Sequence, residues 1–338
     1  MSFRVVLVGC GRMAAAWVEY AEQRNDVEIV GLVDVVAENA RQLKMRYRLT
    51  AQIYESLNEA IDALHPDLIF DVASPESRRA IVETALQAGC HVFSEKPMAL
   101  EFADAKALVN SARRFKKTYA VMQNRRFNAH IRAFADLVQS GAIGIPGWAT
   151  ADFFLGPHFG GFRDAMEHPL LLDMAIHTFD QARLIMGRDP ISVFCHEFNP
   201  PGSWYQGDAA AVCIFEFEGG QVFTYQGSWC AEGAPTSWEA NWRVVGSQGT
   251  ALWDGSNAPY AEVVDNRDSG FQRSFKRVES SLAWPGQQGH FGCLDAMFDA
   301  LASETPPETD ATDNVKSIAM VFGAIESAAR GEKVQLRW

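Results

Sequence analysis

Short apolar segments alternate with segments of helical periodicity over the first third of the chain. The apolar segments predict strands, and apolar residues that recur every three or four positions predict helices. The predicted strands are 4–8, 27–33, 53–54, 68–72, 91–93 and 119–122, and the predicted helices are 12–23, 38–46, 57–64, 79–88 and 102–115. Gly89 follows the fourth helix at a position that favours a left-handed C-cap. Strands separated by helices indicate parallel βαβ units, so we predict a doubly wound α/β sheet here.

The pattern changes near residue 146, where strand-like segments mostly follow one another directly. The predicted strands are 147–154, 191–198, 209–217, 221–228, 242–245 and 251–253, with helices over 170–186, 291–302 and 314–329. This order predicts an α+β domain with a mostly antiparallel sheet. A chain of 338 residues is also too long for one ordinary core, so we predict two domains, 1–122 and 123–338.

The composition is typical of a soluble globular protein and excludes several function classes. The formal net charge of −12 argues against nucleic acid as a partner, because binding to phosphates requires a basic surface. No uncharged apolar stretch reaches the length of a transmembrane helix, and the apolar segment before Gly9 is too short for a secretory signal. We therefore expect a cytoplasmic protein without a membrane partner. The six cysteines form no CxxC pair and have no zinc-finger spacing, so we expect buried, reduced thiols and no metal site.

A glycine-rich turn joins the first predicted strand to the first predicted helix. Its sequence, Gly9-Cys10-Gly11-Arg12-Met13-Ala14, follows the GxGxxA pattern of dinucleotide-binding proteins. In this pattern the first glycine permits the tight turn, the second lets the backbone approach a pyrophosphate, and the alanine lets the helix pack closely on the sheet. The N-terminus of the helix adds free N–H groups and the positive end of its dipole. The residues predicted to contact the dinucleotide here are Gly9, Gly11, Arg12 and Met13.

An acidic residue stands at the distance that this pattern requires. Asp34 ends the second predicted strand, about 20 residues beyond the glycines, where a carboxylate accepts hydrogen bonds from the ribose hydroxyls and repels a 2′-phosphate. Val35 and Val36 follow it, so this position offers no basic or hydroxyl side chain to hold such a phosphate. The pattern therefore favours NAD over NADP as the cofactor. The alternative interpretation is a strand-end aspartate that caps the next helix.

A second motif, Ser94-Glu95-Lys96-Pro97, follows the strand predicted at 91–93. Residues just past the carboxyl ends of parallel strands face the ligand crevice of an open α/β sheet. With this motif the chain resembles the Gfo/Idh/MocA family, the group of glucose-fructose oxidoreductase and inositol dehydrogenase, over nearly its whole length. The segments that carry the resemblance are 9–14, 85–89, 91–97, 124–127, 140–144 and 173–180.

The resemblance implies a Rossmann domain followed by a domain with an open-faced sheet that serves oligomer contacts, and hence a homodimer or homotetramer. It also implies a cis peptide bond between Lys96 and Pro97, an isomer that proline tolerates. The further cofactor contacts that it implies are Ser74, Pro75, Glu95 and Lys96. Many relatives carry Asn and His shortly after the Ser-Pro or Thr-Pro step. This chain has Glu76-Ser77-Arg78-Arg79 there, so we expect different contacts at this edge of the site.

Two residues with acid–base side chains stand four positions apart in the helix predicted at 170–186. Asp173 and His177 therefore share one helix face. By resemblance, these two residues and Lys96 converge at the nicotinamide C4. Oxidation of a secondary alcohol needs a base, which His177 supplies, and positive charge at the developing alkoxide, which Lys96 supplies without a metal. Asp173 would orient the substrate hydroxyl or the imidazole. The alternatives are a buried structural histidine and an aspartate that caps a helix.

The sequence defines the substrate only in part. Eight of the nine tryptophans lie from Trp148 onward, and aromatic rings stack on the apolar faces of sugars, although they also fill cores and interfaces. The glycine-rich loop 158–164 contributes His158 and Arg163 as candidate substrate contacts, and Arg126 is a third. A surface loop without a ligand role is the alternative for this segment.

These residues and the family resemblance together predict an NAD-dependent oxidoreductase that transfers a hydride between nicotinamide and a secondary carbinol of a sugar, an inositol or a related polyol. Two alternatives stay open at this point. Some members of the resembled family are glycosidases that oxidise a sugar transiently, retain NAD and then reduce the sugar again. The other alternative is a dinucleotide-binding sensor without turnover, although a sensor has no need of acid–base residues beside the nicotinamide.

Overall fold

The computed structural model describes residues 2–265 and 270–338. These residues form two compact units: the chain up to Asn124 together with Gln287–Val315, and Arg125–Gly286 together with Lys316–Trp338. The sequence assigned 287–315 to the C-terminal domain, whereas in the structure this segment is part of the first unit. Over the described ranges, no helix combines the length and the apolar composition that a membrane span requires.

The first unit is built on a parallel sheet with a helix between most successive strands. Its described strands are β1 Phe3–Val8, β2 Val27–Val33, β3 Gln52–Tyr54, β4 Leu68–Asp71, β5 His91–Ser94 and β6 Tyr119–Val121. The helices between them are α1 Ala14–Glu22, α2 Ala37–Tyr47, α3 Leu57–Leu64, α4 Pro75–Gln87 and α5 Phe102–Phe115. The order across the sheet is β3-β2-β1-β4-β5-β6, which confirms the predicted doubly wound topology. The order reverses beside β1, so ligands are expected at the carboxyl ends of β1 and β4.

The helix predicted at 79–88 begins earlier in the structure. α4 starts at Pro75, which occupies the first position of the helix. Proline suits this position because its missing N–H has no intrahelical partner there, and its ring presets the helical φ. Gly89 has φ +85°, which confirms the left-handed residue predicted at the end of this helix.

The second unit is built on a mostly antiparallel sheet. Its described strands are β7 Pro146–Phe154, β8 Pro190–Phe198, β9 Ala210–Phe217, β10 Val222–Ser228, β11 Asn241–Gly246, β12 Gly249–Trp253, β13 Tyr260–Val264, β14 Phe275–Glu279 and β15 Val334–Gln335. Their order is β14-β13-β12-β11-β7-β10-β9-β8-β15, in which β7 and β10 are parallel neighbours. The remaining α-helices among the described residues are α6 Ala129–Gln139, α7 Ile176–Met186, α8 Gly289–Ala302 and α9 Ala311–Arg330. This architecture confirms the predicted α+β class.

The two faces of the second sheet differ in their surroundings. On one face, Phe179 of α7 packs against Phe215 at 4.8 Å and Tyr225 at 5.2 Å between ring centroids. The opposite face is open and partly apolar, since Phe194 and Ile214 pair across β8 and β9 and are 42% and 44% exposed. This is the open-faced sheet that the resemblance implied.

Candidate functional site

The glycine turn between β1 and α1 leaves room for a ligand beside its backbone. Gly9 has φ +90°, and a Cβ there would lie 2.5 Å from the Cα of Ala73, so glycine is required. A Cβ on Gly11 would meet no atom within 4 Å, which leaves open space where a pyrophosphate approaches in this motif. Arg12 and Met13 are exposed just before α1. These features fit the pyrophosphate of a dinucleotide.

The Asp34 carboxylate is held at the carboxyl end of β2. Its Oδ2 accepts a hydrogen bond from the backbone N–H of Cys10 at 2.8 Å. Its Oδ1 accepts from the N–H of Val36 at 2.8 Å and from Asn39 Nδ2 at 3.2 Å. The last two bonds are those of an aspartate that caps the next helix, whereas the bond from Cys10 ties the carboxylate to the glycine turn. Both interpretations of Asp34 therefore have support in its contacts.

Ser74 and Pro75 lie in the turn after β4. Ser74 is exposed, and its carbonyl oxygen accepts hydrogen bonds from the backbone N–H and the hydroxyl of Ser77 at 3.2 and 2.9 Å. Because β1 and β4 are parallel neighbours, this turn and the glycine turn share one edge of the sheet.

The motif after β5 places a lysine beside a buried glutamate. The peptide bond between Lys96 and Pro97 is cis, as the resemblance implied, and Lys96 is half-buried. Glu95 Oε1 accepts a hydrogen bond from Trp17 Nε1 at 2.8 Å and lies 3.6 Å from His290 Nε2. Burial acts to raise the pKa of Glu95, but the interactions with His290 and Trp17 outweigh it and lower the pKa below its usual value. The Glu95 carboxylate is therefore ionised and engaged by side chains of its own unit.

Asp173 and His177 lie in one continuous helical segment, which confirms the helix predicted at 170–186. Its first part, Leu170–Ala175, is a π-helix, and α7 continues from it. Single π turns within helices occur frequently at functional sites. Asp173 Oδ2 accepts a hydrogen bond from Arg163 Nε at 2.9 Å, and His177 is only 7% exposed. Asp173 lies within the π-helix and His177 lies in α7, so the angle between these two side chains differs from that of residues four apart in a regular α-helix.

Further polar side chains form a connected set within the second unit. Arg125 Nη1 donates to the carbonyl oxygen of Trp238 and lies 3.2 Å from Glu239 Oε1. The other carboxylate oxygen of Glu239 accepts from Gln181 Nε2 at 2.5 Å. Burial lowers the pKa of Arg125, while the charges of Glu239 and Asp173 act to raise it. The Asp173 carboxylate thus interacts with two guanidinium groups, one through a hydrogen bond and one through charge.

The sequence did not indicate two members of this set as site residues. Gln181 is fully buried and stands four positions after His177, so helical spacing was the available indication. Glu239 lies in a loop 114 residues from Arg125 along the chain, and no local pattern connects the two.

Arg126 is engaged in a buried ion pair. It is 5% exposed, and its guanidinium donates two hydrogen bonds of 2.6 Å to the oxygens of Asp180. A guanidinium whose fork is occupied by a carboxylate of α7 holds that helix in place. This geometry favours a structural role over the substrate contact suggested by the sequence.

The other two candidate substrate contacts lie in an aromatic loop. The ring of His158 stacks on Trp204 with centroids 3.8 Å apart. The guanidinium of Arg163 lies 5.1 and 4.8 Å from the ring centroids of Phe159 and Phe162. Both phenylalanines are exposed, so this loop offers apolar ring faces at the surface. Since Arg163 also bonds Asp173, the loop is connected to the helix that carries the acid–base residues.

Two protein-family models match the chain. The model of the Gfo/Idh/MocA oxidoreductase family, described as an NAD-binding Rossmann fold, matches residues 3–123. The model of the Gfo/Idh/MocA C-terminal domain matches residues 131–252. Together they match the greater part of both units, in the order that the resemblance predicted.

Individual relatives match over nearly the whole chain. D-apiose dehydrogenase from Paraburkholderia graminis is 26% identical over 345 residues, with 99% of this chain and 90% of that protein covered. Myo-inositol 2-dehydrogenase from Thermotoga maritima is 23% identical over 343 residues, with 98% of each protein covered. The crystal structure of an oxidoreductase from Agrobacterium radiobacter, in complex with NAD+, L-tartaric acid and magnesium, matches with a TM-score of 0.85 at 23% identity, covering 99% of this chain and 98% of that one. This last likeness shows a shared fold.

Proposed function

The chain belongs to the Gfo/Idh/MocA family of NAD-binding oxidoreductases, and on this premise we propose that it is an NAD-dependent dehydrogenase of a secondary carbinol in a sugar, an inositol or a related polyol. One observation carries the proposal: a single helical segment holds a buried histidine and an aspartate four residues apart, at a π turn. Carbinol oxidation needs an acid–base group, whereas binding of a dinucleotide alone does not.

The first unit contributes the cofactor residues. When bound, NAD supplies the acceptor for the hydride at its nicotinamide ring. The residues proposed to hold it are Gly9, Gly11, Arg12, Met13, Asp34, Ser74, Pro75, Glu95 and Lys96. Support comes from the open space beside Gly11 and from the Asp34 carboxylate next to the glycine turn. The carboxylate also favours NAD over NADP, because it would repel a 2′-phosphate.

His177, Lys96 and Asp173 have different proposed roles in carbinol oxidation. His177 takes the hydroxyl proton as the carbon–oxygen double bond forms, and the electron pair of the breaking C–H bond leaves as hydride. Lys96 offsets the negative charge that develops on the oxygen. Asp173 orients the substrate hydroxyl or the imidazole, and its hydrogen bond from Arg163 fixes the carboxylate for that purpose. In the reverse direction His177 returns the proton.

The proposed substrate class follows from the relatives and from the aromatic loop. The relatives are named as dehydrogenases of D-apiose and of myo-inositol, a sugar and a cyclic polyol. The exposed rings of Phe159 and Phe162, at 53% and 71%, offer the apolar surfaces on which the C–H faces of such compounds stack.

The test offers the purified protein and NAD a panel of aldoses, inositols, sugar acids and glycosides, and follows NADH absorbance. A rise with one compound class, together with the corresponding ketone in the product mixture, is the expected result. Release of aglycone from a glycoside without net NADH would replace the dehydrogenase by a redox glycosidase. Tight NAD binding with neither outcome across the panel would contradict catalysis and favour a sensor.

The open face of the second sheet supports self-association. Apolar side chains of neighbouring strands are exposed on it, namely Trp148, Phe194, Phe198, Val212 and Ile214. Several exposed apolar side chains on one sheet face are typical of an interface, and we assign this face to a second copy of this chain in a homodimer or homotetramer. Sedimentation should give the mass of such an oligomer, and Ile214→Asp should shift it towards the monomer. A monomeric wild-type chain would contradict the assignment.

A further inference from the structure

Arg78, near the start of α4, is fully buried within the first unit. Its guanidinium donates to three acceptors: Nε to Asp71 Oδ2 at 3.0 Å, Nη1 to the carbonyl oxygen of Pro97 at 2.6 Å, and Nη2 to that of Ala73 at 2.8 Å. Asp71 is fully buried as well, and its Oδ1 lies 3.2 Å from the backbone N–H of Ala73. The rigid fork of an arginine therefore connects one carboxylate with two backbone carbonyls.

The two carbonyls belong to different turns at the carboxyl edge of the parallel sheet. Ala73 lies in the turn after β4. The backbone of this turn packs so closely against Gly9 that a Cβ on Gly9 would collide with it. Pro97 follows Lys96 across the cis peptide bond after β5. Arg78 thus ties the turn that supports the glycine motif to the turn that carries the candidate catalytic lysine.

A need for stability alone does not explain this arrangement. Burial raises the pKa of Asp71 to about 6, against the opposing charge and hydrogen bond of Arg78. Buried ion pairs contribute little net stability compared with apolar side chains of similar volume. What the pair provides is a fixed geometry for the backbone around it.

We propose that Arg78 is a positioning residue that fixes the Lys96–Pro97 turn, and through it the Lys96 ammonium, for hydride transfer. The catalytic part of this inference rests on the proposed function, whereas the anchoring is a property of the first unit alone. Lysine should not replace the arginine, because an ammonium on a flexible stem lacks the planar fork that reaches all three acceptors together.

The experiment compares Arg78→Lys and Arg78→Met with Arg79→Lys. Arg79 is the matched control, since it stands next in the sequence, is half exposed and pairs with Glu83 and Asp104 on the surface. Amide hydrogen exchange is measured over residues 94–101, and kcat and the Kd for NAD are measured well below the melting temperature of each variant. Arg78→Lys keeps a positive charge beside Asp71, so this variant can still be measured if Arg78→Met does not fold.

We expect exchange over 94–101 to rise about tenfold or more in Arg78→Met and less in Arg78→Lys, with the rest of the first unit unchanged. A misplaced catalytic group costs up to about 100-fold, so kcat should fall by about 30-fold and about 10-fold respectively, while the Kd for NAD stays within about threefold. Arg79→Lys should match the wild type in all three measurements.

Unchanged exchange over 94–101 in the Arg78 variants would overturn the anchoring. Faster exchange over 94–101 with a wild-type kcat would overturn the positioning role. So would a rise of exchange over the whole first unit in which kcat and NAD affinity fall to the same extent. If the wild-type chain oxidises no carbinol, the proposed function fails, and the exchange measurement alone then decides whether Arg78 anchors the turn.

Discussion

In the first unit the residues assigned to the cofactor lie in turns at the ends of parallel strands, whereas in the second unit the acid–base residues lie on a helix surrounded by distant loops. Parallel strands end at one edge of their sheet, so β1, β2, β4 and β5 gather the glycine turn, Asp34, Ser74 and Lys96 by topology alone. The second unit gathers Arg125 and Glu239 across 114 positions of sequence through packing. Local pattern therefore indicates a site of the first kind and only part of a site of the second kind.

Two buried arginines show the same difference. Arg78 pairs with Asp71 and directs its other bonds to backbone carbonyls of two turns. Arg126 pairs with Asp180, whose carboxylate also accepts from the hydroxyl of Ser317 in α9 at 2.6 Å. The first pair fixes turns that carry candidate site residues, and the second connects helices. The residue types are identical, so only the partners distinguish the two roles.

The largest expected effect comes from the two residues proposed to act directly on the reacting carbinol, His177 and Lys96. We expect His177→Ala and Lys96→Ala each to lower kcat by about 100-fold or more, because each removes a group that acts in the transition state, while the Kd for NAD stays nearly unchanged in His177→Ala. Steady-state NADH formation and calorimetric NAD binding measure the two quantities. The surface substitutions His65→Asn and Lys106→Ala serve as controls. Wild-type kcat in either active-site variant would remove that residue from the mechanism.

A smaller effect, confined to cofactor affinity, is expected from a methyl group beside the glycine turn. Gly11 has an ordinary backbone conformation and open space at its Cβ position, so Gly11→Ala should fold with an unchanged melting temperature. The methyl group would occupy the space of the pyrophosphate and raise the Kd for NAD by about 10-fold or more. Gly147→Ala is the control in the second unit, since its Cβ would also meet nothing closer than 4.0 Å. Equal NAD affinity in both variants would contradict the assigned pyrophosphate position.

Cofactor selectivity should change when the charge at the end of β2 is removed. Asp34→Ala and Asp34→Asn are each expected to lower the ratio of kcat/KM for NAD to that for NADP by about 10-fold, because the repulsion of a 2′-phosphate is lost. Asn keeps an acceptor for the N–H of Cys10, so it separates charge from turn geometry. Unchanged selectivity in both variants would leave Asp34 with its helix-capping role alone.

The smallest expected effect concerns stability and involves no site residue. Burial lowers the pKa of His91 to about 4, and its Nδ1 accepts from the N–H of Thr118 at 3.1 Å. The unfolded chain binds this proton at higher pH than the folded chain, so stability falls as the pH falls from about 6.5 to about 4. His91→Asn keeps an acceptor and cannot titrate. Its free energy of unfolding should fall less over this window, by on the order of 1 kcal/mol, in denaturant titrations. An equal fall in the free energy of unfolding of the wild type and of His91→Asn over this window would contradict the lowered pKa of His91.

Much of the first unit could be predicted because its elements begin and end where the apolar pattern does. The predicted bounds of β2, α3 and α5 match the structure. The elements of the second unit were harder to predict from the sequence. β14 has the sequence Phe-Lys-Arg-Val-Glu and is almost wholly exposed, so no alternation marked it as a strand. α6 was also missed, although Asn128 caps it through hydrogen bonds from His130 and Ile131, and this residue type was an available indication.

The residues of the candidate site also differ in how far the sequence could predict them. Gly9, Gly11 and Asp34 could be named from residue type and spacing, because each follows a predicted strand, whereas Lys96 was named through the family resemblance. The π turn at Asp173 depends on a backbone change that residue periodicity does not express. The roles of Arg78 and Arg126 depend on their tertiary partners, which a local pattern does not specify.

The most direct test of the central claim is to supply the active panel compound with deuterium at its carbinol carbon and to determine the mass of the reduced cofactor. Hydride transfer from that carbon predicts NADH that carries one deuterium with the wild-type chain, and little reduced cofactor of any mass with His177→Ala. Reduced cofactor without deuterium, or equal formation of labelled cofactor by the His177 variant, would contradict the account.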